Sequence, residues 1–218
     1  MLEQAEKYDW IKAVVGWIPL TEPEIATRAL EVFGSYPKFK GVRHLIHDEP
    51  DANYLTRPEV LVTLEILAER GLTFDVVSVL PRHLELVAMV ATKIPNLKMV
   101  IDHLSKPPIF ARGWQPWADL LKAASEHQNV YAKISGLNTA ADWENWNASH
   151  LEPYVDFAVR CFGAERLMFG SDYPVAILAG DYAKVWQETN VLLEKLAPNQ
   201  KAQILGGTAA RFYGLGLH

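Results

Sequence analysis

Six short apolar runs succeed one another along the chain, and each leads into a longer stretch with helical periodicity. They are "AVVGWIPL" from Ala13, "GVRHLIH" from Gly41, "LTFDVVSV" from Leu72, "KMVIDHL" from Lys98, "NVYAKISGL" from Asn129 and "RLMFGSDYPV" from Arg166. Strand–helix units in unbroken succession dictate parallel strands joined by right-handed crossovers. The runs are short and almost wholly apolar, as strands covered on both faces require. Strands are expected near Val14–Trp17, Val42–Ile46, Thr73–Val77, Met99–His103, Val130–Ile134 and Leu167–Gly170. Helices are expected near 22–33, 58–70, 81–94, 115–127, 151–162, 181–196 and 201–213. The helix of the second unit illustrates the grammar, with Pro58 in its first turn, leucines three and four apart, and Gly71 after its end.

Two architectures satisfy this pattern: an open doubly wound sheet or a (β/α)₈ barrel. A doubly wound nucleotide binder carries a glycine-rich turn after an early strand, and this sequence has none. A barrel needs eight strands and typically about 250 residues. The 218 residues supply six strands and open within a helix, so the pattern alone leaves both architectures open. No linker or change of composition interrupts residues 1–218, which are expected to form a single domain. Half the residues are hydrophobic, enough for a large core, and the net charge of -5 with scattered Lys and Arg argues against nucleic acid. Cys161 is the only cysteine, which excludes an intrachain disulfide and a thiolate zinc cage. No apolar stretch approaches the roughly 20 residues of a membrane span, and no signal-peptide core is present. A cytoplasmic location is the default expectation.

Five of the six strands finish in reactive side chains rather than ordinary turn residues. The second ends in Arg43, His44 and His47, the fourth in Asp102 and His103, the fifth in Lys133 and Ser135, and the sixth in Ser171 and Asp172, with Trp17 closing the first. One strand-end histidine alone reads as structural, a lone Asp as a helix cap, and Lys133 as an amphipathic cover for apolar surface. Recurrence at the same end of successive strands is different, because a barrel gathers those ends at one mouth. Strand alternation would send Asp102 and His103 to opposite faces. No serine-hydrolase elbow, P-loop or H-E-x-x-H is present, and Cys161 reads as a packed thiol within a helix. The paired tryptophans of "GWQPWADL" and "DWENWNAS" read as loop packing or as lids over a pocket.

The segments "GVRHLIHDEPD", "VIDHLSKPPI", "VYAKISGL", "ERLMFGSDYPV" and "GGTAARFYGL" together resemble the amidohydrolase-related metal-dependent hydrolases of the TIM-barrel kind. Within them the resemblance is to the branch of sugar lactonases and 2-pyrone-4,6-dicarboxylate lactonase, and it runs from about Ala13 to the C-terminus. It implies a (β/α)₈ barrel of the TIM type, here with six of its eight βα units and the first two strands missing. It also implies hydrolysis of a cyclic ester in a small-molecule substrate, with His103 and Asp172 facing the active site; in such a barrel these two side chains are expected within about 8 Å of each other. By position it makes Arg43 and His47 substrate contacts, with Lys133 a further cationic candidate. Asp172 is then the expected general base, and His103 a metal ligand or an imidazole donor near the developing oxyanion.

The departures are equally specific. Family members open with a strand bearing a His-x-His pair that helps hold a divalent metal, zinc foremost, whereas "MLEQAEKYDW" resembles the helix after the second strand. None of the seven histidines forms a His-x-His, and Thr208 stands where the family usually has Asn. His103 and Asp172 are therefore an incomplete metal set, and weak zinc binding and weak turnover are expected. Open barrel edges lead to the expectation of a partner chain, such as a homo-oligomer. Two other readings accompany the lactonase: a decarboxylase of the same superfamily, and an inactive truncated homologue.

Overall fold

A computed structural model describes residues 1–216. It contains one six-stranded parallel sheet with strands in chain order, each paired with the next. The strands are β1 Val14–Gly16, β2 Phe39–His44, β3 Thr73–Val76, β4 Met99–Ile101, β5 Val130–Ile134 and β6 Leu167–Phe169. They curl as part of a TIM-type barrel, with β1 and β6 as the two edges of the sheet. Helices α2 Pro23–Phe33, α3 Pro58–Glu69, α4 Pro81–Lys93, α5 Trp117–Ser125 and α6 Ala148–Phe162 form the crossovers, after a first helix α1, Leu2–Lys7. The chain closes with α7 Tyr182–Leu193, α8 Pro198–Ala202 and α9 Thr208–Phe212.

The expected helices lie within a few residues of those observed, with two instructive differences. A wide π-turn at Gln203–Gly207, containing the paired glycines, divides the last helical stretch into α8 and α9. β4 stops at Ile101, two residues before the expected end, because Asp102–Ser105 coil into a tight turn. Alternation, which sends Val100 and Asp102 inward, therefore breaks at His103, and both Asp102 and His103 face the barrel interior.

Alternate residues divide the sheet between two cores. Outward side chains such as Val42, Phe74, Val76, Met99, Ile101, Ala132 and Leu167 join the helices in one extensive cluster. Burying a side chain such as Phe74, with no exposed surface, contributes roughly 2–3 kcal/mol. Inward residues Val100, Tyr131 and Met168 meet Phe212 and Tyr213, which plug the barrel from its N-terminal end. Thr208, fully buried, donates to the Ala164 carbonyl at 2.9 Å and ties α9 beneath β6. Above this apolar floor the interior is polar.

Candidate active site

The first polar layer is a closed set of charges. Lys133 on β5 reaches Asp75 Oδ2 at 2.6 Å and Asp102 Oδ1 at 2.7 Å. Arg43 Nε donates to Asp102 Oδ2 at 2.7 Å, and the Tyr213 hydroxyl donates to Asp75 Oδ2 at 2.6 Å. Ionised, the two cations and two carboxylates cancel, which is how four charges are tolerated in a buried place. Burial opposes the charged amine of Lys133, but Asp75 and Asp102 outweigh it and hold its pKa well above the usual range. Burial would likewise raise Asp102, yet Lys133, His103 and Arg43 prevail and lower it, whereas for Asp75 burial wins and raises it. Burial also pushes the Tyr213 phenol up, so it remains a donor.

The second layer lies at the C-terminal mouth, where His103 Nε2 stands 3.6 Å from Asp172 Oδ1. Asp172 follows β6 in the left-handed region (φ 54°), a conformation Asp tolerates better than most residues, just before Tyr173-Pro174. It does not cap the next helix; Asp181 caps α7. Its Oδ2 is buried without a hydrogen-bond partner. Burial raises its pKa, opposed by the cations Lys106 and Arg43. His103 Nδ1 is 2.8 Å from the Ser135 hydroxyl, and burial lowers the imidazole to about 4, so the ring is neutral near pH 7.

An unusual backbone delivers these groups. His103, Leu104, Ser105 and Lys106 all have positive φ, between 48° and 60°. Four consecutive left-handed residues cost roughly 4–8 kcal/mol together, at about 1–2 kcal/mol each. The turn is held by the fully buried Leu104 side chain, by Trp117 Nε1 donating to the Leu104 carbonyl at 2.7 Å, and by Ser78 and Ser105 at 2.8 Å. Its last residue, Lys106, donates to the Gly136 carbonyl at 2.9 Å and Thr139 Oγ1 at 2.6 Å, with Asp172 Oδ2 at 3.9 Å. Gly136 (φ 57°) packs so closely that a Cβ there would lie 2.3 Å from Asp172 Oδ2.

The structure thus brings His103, Asp172 and Arg43 to one mouth and sets Lys133 beneath them. His47, on the turn after β2, contacts the Val77 carbonyl at 3.4 Å and Asp48 at 3.4 Å, on the rim. Ser135, which the strand ends had marked, joins them, and Lys106, Gly136, Thr139, Asp75 and Tyr213 complete the site, although sequence patterns did not single out these five as members. A usable signal existed for one of them: Asp75 interrupts an otherwise apolar strand. Of the tryptophans, Trp114 and Trp117 pack on Tyr154 and Phe157, and Trp146 is buried against loop backbone, so these three are packing residues.

A sequence profile described as Amidohydrolase matches residues 1–215. The chain is 34% identical over 218 residues to an L-fucono-1,5-lactonase of Burkholderia ambifaria, covering 98% of this chain and 74% of that protein. It is 33% identical over 231 residues to the L-fucono-1,5-lactonase of Burkholderia multivorans, covering 99% and 75% respectively. A crystal structure of a zinc-bound amidohydrolase from Burkholderia multivorans superposes with a TM-score of 0.88 at 33% identity, covering 98% of this chain and 77% of that one.

Proposed function

Because the chain belongs to the amidohydrolase family, we propose that it hydrolyses a sugar-acid lactone, with Asp172 as the general base. The observation that carries this reading is the unpartnered, buried Oδ2 of Asp172 beside a neutral His103 at the barrel mouth, in a chain 34% identical to a lactonase. Asp172 takes a proton from water as the water oxygen bonds to the lactone carbonyl carbon. The tetrahedral intermediate then collapses, the ring C–O bond breaks, and the ring oxygen recovers the proton from Asp172, giving a hydroxy acid. His103, held by Ser135, orients Asp172 and offers its imidazole to the reacting centre.

Arg43 keeps its outer guanidinium nitrogens for substrate oxygens, since only Nε is used on Asp102 and the side chain is 38% exposed. His47 is a proposed rim contact. Lys133 acts from below by fixing Asp102 and thus Arg43. For a metal, His103 and Asp172 provide two donors, and among the described residues no group of three or more His, Cys, Asp or Glu is placed to hold one. A catalytic zinc takes three protein ligands, so these residues alone do not fit it and the steps above use only the chain's own groups. The test is a pH-stat assay on a panel of aldonolactones. Acid release is expected from wild type, with Asp172→Asn slower by on the order of 10²–10⁴ and folded as before. No acid release from any lactone would overturn the reading.

A further inference from the structure

The lactone carbonyl oxygen becomes an oxyanion in this scheme, and something must stabilise it. Lys133 is held by the carboxylates of the lower layer, and Arg43 is anchored there through Nε, its outer nitrogens facing other substrate oxygens. His103 is held through Nδ1 by Ser135, with Nε2 3.6 Å from Asp172, and brings no fixed positive charge. Lys106 remains. Two of its three ammonium N–H bonds are fixed by the Gly136 carbonyl and Thr139 Oγ1, so the third has a set direction, and Asp172 Oδ2 is the nearest carboxylate oxygen at 3.9 Å.

We infer that Lys106 is a catalytic residue, the electrophile that donates its third N–H to the lactone carbonyl oxygen as Asp172 activates water against the same carbon. The separation suits the task. A water on Oδ2 and a carbonyl oxygen on Nζ, each at ordinary hydrogen-bond length of about 2.8–2.9 Å, place the attacked carbon between them. The lysine is also preorganised: Thr139 Oγ1 itself donates to the Gly136 carbonyl at 2.9 Å, so the two acceptors are locked to each other. Preorganised donors aimed at developing charge are commonly the largest single contribution to such a rate. Burial lowers the pKa of Lys106, against Asp172 and Asp102, and a partly desolvated ammonium binds an oxyanion more strongly than one in water. The strained turn of residues 103–106 acquires a purpose, because it delivers the imidazole and the ammonium to the same carbonyl from one short segment.

The inference rests on the lactonase reading, and its test separates the two. The lysine stem lines an apolar cleft of about 280 Å³ with Val79, Leu84, Pro108 and Trp117, so Lys106→Ala opens a passage wide enough for a small alkylammonium ion. Lys106→Met is expected to lower kcat by on the order of 10²–10³ while KM moves less than about threefold. Lys106→Arg should recover part of that loss, and added propylammonium should restore turnover of Lys106→Ala in a saturable manner. Thermal melts identify folded variants, and Lys106→Met keeps the stem if the alanine variant does not fold. A folded Lys106→Met with wild-type kcat, or with its loss confined to KM, overturns the role of Lys106 alone. An inactive wild type overturns the lactonase reading and this inference with it.

Discussion

Asp172 and Gly136 show how narrowly the site is built at the residue scale. A methyl group at residue 136 would meet Asp172 Oδ2 at 2.3 Å and His103 Nδ1 at 3.0 Å, and the backbone there is left-handed as well. Gly136→Ala is therefore expected to cost about 1–3 kcal/mol and to displace the base, read as a lower denaturation midpoint together with lost turnover. His103 makes a prediction in pH. Its pKa falls from 6.5 unfolded to about 4 folded, so between those values the unfolded chain binds more protons. Stability is then lost as pH falls from 6.5 through 4, by on the order of 3 kcal/mol from this residue. Urea titrations at pH 7 and pH 4 should show a smaller acid loss in His103→Gln than in wild type, and an equal loss would refute the assignment. For activity the sign comes from Asp172. Burial raises its pKa, so the acid limb of kcat/KM should lie above the ordinary carboxylate range.

β5 and the C-terminal segment carry the argument at the element scale. Lys133 on β5 links β3 to the end of β4 through Asp75 and Asp102, while Tyr213 just after α9 reaches the same Asp75 from below. Removing the cation leaves Asp75 buried with only the Tyr213 hydroxyl and Asp102 with only Arg43, so Lys133→Met is expected to destabilise by roughly 3–5 kcal/mol. Tyr213→Phe removes one hydrogen bond to a carboxylate that keeps its lysine, and should cost about 1–3 kcal/mol. The two losses should fall short of additive in the double variant, because both act on Asp75. Full additivity in denaturant midpoints would show that the layer is not one network.

For the whole molecule, residues from Ile18 to Ile204 share a single apolar cluster outside the sheet, and the smaller inner cluster joins the C-terminal segment to it. We propose that the chain is one domain; fluorescence and circular dichroism should report a single coincident unfolding transition, and two separated transitions would refute this. The alternation of apolar runs and helical stretches determined the parallel strands and their right-handed crossovers, because strand covering and crossover handedness are written in local periodicity, while the choice of a barrel over an open sheet came from the family motifs. The polar strand ends "DHL" and "GSD" likewise marked His103 and Asp172, since a barrel gathers its strand ends wherever the sequence places them. Tertiary structure alone decided the remainder. Lys106 lies beyond its strand and enters the site because four left-handed residues reverse the chain, a path that no periodicity records. Tyr213 meets Asp75 across 138 positions of sequence, and Lys133 finds its two carboxylates, one on β3 and one just after β4, within 2.7 Å. Periodicity acts over a few residues and is legible along the chain, whereas the partners of a buried charge are set by packing between strands and exist only once the sheet has curled.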